Sequence, residues 1–92
     1  MMPSILLIDD LRSHVKFLND FLSYVGYDVL TAYNAADGLE MARQHEPALI
    51  LLDIRMPGMD GIAFVQTLRR DSRFCQTPVI ALTASAMNGD RE

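Results

Sequence analysis

The chain has 92 residues, half of them hydrophobic and 22% charged, with a formal net charge of −4; that is one small domain with a lean core. An acidic balance without a basic stripe excludes phosphate-backbone binding, and no apolar run approaches the ~20 residues of a membrane-spanning helix. The single cysteine, Cys75, excludes an internal disulfide, and the amino terminus lacks the charged start of a secretory signal, so a reducing cytoplasm is the expected setting.

Ser4 to Ile8 reads as a short apolar strand running into Asp9-Asp10. From Leu11 the period changes, and Leu11, Val15, Leu18, Leu22 and Val25 mark the inner face of a helix that Gly26 stops. Asp28 to Ala32 is a weaker strand with the mixed pattern of a partly exposed edge. Asn34 has the chemistry of an N-cap for the next helix, whose inner face carries Leu39 and Ala42 until Pro47 prevents continuation. His14 and His45 are expected on helix surfaces, with no partner at metal-ligand spacing.

Leu49 to Leu52 is an unbroken apolar run, the pattern of a strand buried on both faces of a parallel sheet. It ends on Asp53, a carboxylate that must emerge at the strand's carboxyl end. Pro57, Gly58 and Gly61 then force a loop, on which Met56 and Met59 are expected to be exposed. Asp60 is placed to cap a third helix with Ile62, Val65 and Leu68 on its inner face. Asp71 to Thr77 is a polar connection containing Cys75, which has no catalytic companion. Pro78 to Thr83 reads as a fourth buried strand, and Ala86 to Glu92 begins a helical pattern.

Strands alternating with helices predict an α/β fold with a parallel sheet and right-handed crossovers. Functional side chains then gather at the carboxyl ends of the strands: Asp9 and Asp10, Asp53, and Thr83. Three carboxylates at close range repel unless a cation joins them, and Mg²⁺ suits oxygen ligands of this kind. A carboxylate can also act as the nucleophile and accept a phosphoryl group. Asp10 has the alternative chemistry of a helix N-cap.

Asp9-Asp10, the run Asp53-x-x-x-Pro57-x-x-Asp60-Gly61, and Thr83-Ala84 together resemble the receiver domain of bacterial response regulators. The resemblance spans the whole chain and implies a flavodoxin-like, doubly wound sheet in the order 2-1-3-4. It implies that Asp53 is the phosphoacceptor, taking its phosphoryl group from a histidine kinase or phosphotransfer protein. It further implies that Asp10 binds Mg²⁺ directly, Asp9 mainly through water, and Arg55 through its backbone carbonyl. Thr83 would contact the phosphoryl group as the switch residue, and Ser85 would border the site.

Complete receivers continue to a fifth strand and helix, and the end of that strand supplies a lysine that pairs with the phosphate. The only lysine here is Lys16, in the first helix. Residues 1–92 are therefore expected to form a receiver lacking the fifth strand and fifth helix. One alternative is an assembly fragment that self-associates through the exposed edge of its fourth strand. Another is a metal-dependent aspartyl-phosphate phosphatase of the haloacid dehalogenase type. That family has a second acid two residues after its nucleophile, where this chain has Arg55. The expectation is a signalling module, not an enzyme.

Overall fold

The computed structural model describes residues 3–58 and 60–82. Its elements run β1 (Ser4–Ile8), α1 (Arg12–Val25), β2 (Asp28–Ala32), α2 (Ala35–His45), β3 (Leu49–Asp53), α3 (Gly61–Arg69), a 3₁₀ turn (Ser72–Phe74) and β4 (Val79–Leu82). The four strands form one parallel sheet in the order β2-β1-β3-β4. This is the flavodoxin-like order the motifs imply, without a fifth strand among the described residues.

Register aligns the strand ends. Ile8 pairs with both Ala32 and Leu52, and Asp53 pairs with Leu82. The residues that follow β1 and β3 therefore leave the sheet on the same edge. Alternation along the strands divides their side chains between the two faces. Leu6, Ile8, Ala32, Ile50 and Leu52 join Ala42 of α2, Phe64 and Leu68 of α3, and Phe74 in one buried cluster. Residues of the other parity, Ile5 and Leu7, are also buried. α1 packs over β1 and β2.

Capping chemistry sets the helix starts. Asn34 Oδ1 accepts from the Asp37 N–H at 2.8 Å, and Asp60 Oδ1 accepts from the Ala63 N–H at 3.1 Å. Both are the N-caps the sequence predicts. α1 begins differently: its N-cap residue is Leu11, in extended conformation and with no side-chain cap. Asp10 is not the cap.

Five packing expectations are corrected. Leu11 and Val25 are exposed, so the inner face of α1 is Val15 with half-buried Leu18 and Leu22. Leu11 lies outside the helix proper, and Val25 is its last residue beside Gly26, which turns the chain at φ 120°. In α3, Ile62 is 72% exposed while Phe64 is buried. Six residues of helix turn through about 600°, which leaves Ile62 and Leu68 about 120° apart, whereas Phe64 and Leu68 share a face. The polar connection after α3 contains a 3₁₀ turn that buries Phe74. β4 is not buried: it pairs only with β3 among the described residues, and Ile80 is 49% exposed. Met56 packs into the core from the β3-α3 loop. Met59, Thr83, Ser85 and the helical pattern from Ala86 lie outside the described residues.

Candidate functional site

The shared sheet edge brings Asp9, Asp10 and Asp53 together. One carboxylate oxygen from each lies within 4.8 Å of the others. Asp9 and Asp53 are buried, and Asp10 is exposed at the mouth.

Each buried acid is held by the backbone that follows it. Asp9 Oδ1 accepts from the Leu11 N–H at 2.9 Å, and Asp53 Oδ1 accepts from the Arg55 N–H at 2.9 Å. These are side-chain turns two residues long, the geometry in which aspartate ends a strand and starts a loop. The second oxygens differ. Asp9 Oδ2 lies 3.2 Å from His14 Nδ1, whereas Asp53 Oδ2 has no protein donor among the described residues. His14 is thus a neighbour of the site, although it stands outside the carboxylate group itself. It is the third residue of α1, and side chains at a helix start lean back toward the preceding chain.

Burial pushes the Asp53 carboxyl above the ordinary carboxylate range, and neighbouring Asp9 adds to the rise through its charge and by accepting a hydrogen bond from the protonated Asp53 carboxyl. The Arg55 N–H and the His14 ring pull in the opposite direction without cancelling it. Desolvation and like charge both disfavour the anion. A group that carries positive charge into this edge would relieve both.

The donor set fits a small hard cation. An octahedral ion bound at 2.0–2.1 Å needs ligand oxygens roughly 3–4 Å apart, within the span these three carboxylates cover. The residues present could hold Mg²⁺ with its remaining positions filled by water.

Beside the acids lies an open cavity of about 420 Å³, lined by Asp10, Tyr33, Asn34, Met56, Pro57 and Gly58 among others. The Arg12 guanidinium stacks over the Tyr33 ring at 4.2 Å, fixing one wall. Lys16 is elsewhere, paired with Asp20 at 2.9 Å on the exposed side of α1. His45 is exposed, and Cys75 is an exposed free thiol. No helix among the described residues is long and apolar enough to cross a membrane.

Residues 5–92 match the family model for the response regulator receiver domain. The polar-differentiation response regulator DivK of Brucella anthropi is 36% identical over all 92 residues, which span 75% of its length. DivK of Brucella ovis is 35% identical over the same extent. Among solved structures, the Vibrio cholerae chemotaxis protein CheY4 superposes with a TM-score of 0.85 at 30% identity, covering 97% of this chain and 78% of that one. A crystal structure of the histidine kinase ThkA in complex with the response regulator TrrA gives 0.79 at 31% identity, covering 90% and 70%. An acidic edge built from the ends of two parallel strands, on this sheet order and with these relatives, has one family reading: the chain belongs to the response regulator receiver domains.

Proposed function

We propose that this domain accepts a phosphoryl group on Asp53 Oδ2 from a phosphohistidine, with Mg²⁺ held by Asp10 and Asp53, by Asp9 mainly through water, and by the Arg55 carbonyl. The observation that carries the reading is the asymmetry of the two buried acids. Asp9 has both oxygens engaged, whereas Asp53 keeps one oxygen without a protein donor among the described residues. In the transfer the phosphorus–nitrogen bond breaks as the phosphorus–oxygen bond forms, and the electron pair returns to the donor imidazole. Bound Mg²⁺ would neutralise the phosphoryl oxygens. Asp53 supplies the nucleophile, the Arg55 N–H fixes its rotation, and Asp9 and Asp10 furnish the negative charge that retains the cation. Thr83 is the proposed phosphoryl contact and switch.

The partner is a histidine kinase or phosphotransfer protein, a reading supported by the kinase–regulator complex among the structural relatives. The domain then acts in the cytoplasm as a phosphorylation-controlled binding module, without turnover and without touching nucleic acid itself. The test is intact mass after incubation with a small phosphodonor and Mg²⁺, with Asp53→Asn alongside. A gain of one phosphoryl group that the variant loses is expected. Equal gain in the variant would overturn the assignment of Asp53.

A second reading rests on a separate observation. β4 pairs with β3 alone among the described residues, and Ile80 on it is half exposed. An apolar strand edge of this kind is a template on which another chain can pair. Self-association through β4 is therefore expected, and a monomeric mass by light scattering at high concentration would contradict it.

A further inference from the structure

We infer that His14 is a positioning residue of the cation site, holding the Asp9 carboxylate through an Nδ1–H bond and thereby raising affinity for the divalent ion. The inference rests on the reading that this acidic edge binds Mg²⁺, and it assigns His14 a part in that binding.

The geometry is specific. Asp9 Oδ2 is 3.2 Å from His14 Nδ1, and the side chains are 3% and 44% exposed respectively. The imidazole thus reaches from the surface of α1 to a carboxylate that bulk water scarcely touches. An ionised carboxylate only accepts, so Nδ1 carries the proton in this contact whatever the state of the other ring nitrogen. With the Leu11 N–H on Oδ1 at 2.9 Å, the Asp9 carboxylate is clamped from both ends. A carboxylate held in one orientation engages the ion, through a bound water or directly, without first losing rotational freedom, which is how partners one shell out strengthen metal sites.

A direct ligand role for His14 fits less well. Binding a metal through Nδ1 would remove the proton that joins it to Asp9. The carboxylate set that lies within 4.8 Å is Asp9, Asp10 and Asp53 without the imidazole. The spacing also explains why sequence reasoning passes over it. His14 follows Asp9 by five residues, across the break between a strand end and a helix, where neither strand nor helix periodicity links two positions.

The experiment is Mg²⁺ titration by calorimetry of the wild type, His14→Ala and His14→Asn, with the melting temperature of each metal-free protein. Asparagine keeps an N–H donor near the position of Nδ1. Expected is about a tenfold loss of affinity in His14→Ala and its recovery in His14→Asn, with each metal-free protein still folded at the temperature of the titration. Wild-type affinity in His14→Ala would overturn the inference. Equal losses in both variants would also overturn it, because the imidazole itself would then be what matters. Unfolding of metal-free His14→Ala at the titration temperature, sufficient to account for the affinity loss, would reduce His14 to a fold contact. If the wild type binds no Mg²⁺, the cation reading itself fails, and with it this one.

Discussion

Gly38 of α2 lies against the side chain of Ile8, so closely that a Cβ at position 38 would overlap Ile8 Cδ1 and stand 2.9 Å from Cγ1. Ile8 is fully buried and is the residue immediately before Asp9. The contact therefore joins the packing of α2 to the strand end that presents the first acid of the site.

Gly38→Ala tests that contact. Alanine favours a helix interior by about 1 kcal/mol over glycine, but overpacking a core typically costs about 1–3 kcal/mol. The substitution is expected to lower stability by about 1 kcal/mol net, read from urea midpoints. Ile8→Val removes the Cδ1 atom and alone costs about 0.5–1.5 kcal/mol. The double variant should be more stable than the sum of the single effects by at least about 0.5 kcal/mol. Additive effects would show that the helix relaxes around the methyl group without involving Ile8.

Much of this arrangement is legible in the sequence, for physical reasons that also mark where legibility stops. The runs of β1 and β3 read correctly because burial on both faces leaves no alternative pattern. Asn34 and Asp60 read correctly because capping is local, involving residues three positions apart. The juxtaposition of Asp9, Asp10 and Asp53 needs the strand order, which periodicity does not provide and the family resemblance does. Ile62 reads as core because spacing by threes drifts around a helix. Phe74 carries no core signal because its neighbours are polar. Met56 reads as exposed because its loop is, although its side chain turns back into the cluster with Phe64. His14 gives no signal for a different reason: its partner lies across a boundary between two periodicities.

Asp60 separates capping from ligation. Its Oδ1 caps α3 through the Ala63 N–H, and Asp60 is exposed. Asp60→Ala is expected to cost about 1 kcal/mol of stability, whereas Asp60→Asn, also a good cap, should cost little. Neither should change Mg²⁺ affinity beyond about twofold, because exposed charges beyond the first shell are screened. A tenfold loss of Mg²⁺ binding in Asp60→Asn would place this acid in the cation site.

Arg69 holds the connection between α3 and β4. One guanidinium nitrogen donates to the carbonyls of both Phe74 and Thr77, at 2.6 Å to the latter. Removing the donor leaves the Phe74 carbonyl with only the Thr77 N–H at 3.3 Å and the Thr77 carbonyl with no protein donor among the described residues, and a part-buried carbonyl left unpaired costs about 1–3 kcal/mol. Arg69→Met, which keeps the apolar stem, should lower stability by that amount. Arg69→Lys should lose less, since an ammonium can still donate to both. The prediction is checked by denaturant midpoints and by amide exchange at Cys75, Gln76, Thr77 and Val79, which should accelerate in Arg69→Met. Unchanged exchange would mean that the 3₁₀ turn stands without the arginine.

Asp53 is expected to weaken the metal-free protein at neutral pH. Burial and Asp9 raise its carboxyl above the ordinary 3.8, so the native state holds its proton more tightly than the unfolded chain does. The stabilisation that this proton provides is fully present below the unfolded value and is lost as pH rises through the native one. Without metal at pH 7, Asp53→Asn should therefore melt a few degrees higher than the wild type, a shift readily measured in a domain of this size. The gap should narrow as pH falls through the native Asp53 range and close near 3.8. Saturating Mg²⁺ should reverse the order. A ligand bound at a hundred times its dissociation constant adds about 2.7 kcal/mol to the protein that binds it, and the variant, with one carboxylate fewer at the acidic edge, should gain less. A wild type that is the more stable protein without metal at pH 7 would show that the Arg55 N–H and His14 more than offset the burial of Asp53. The acidic edge would then be settled in its resting state, with no tension for a cation to relieve.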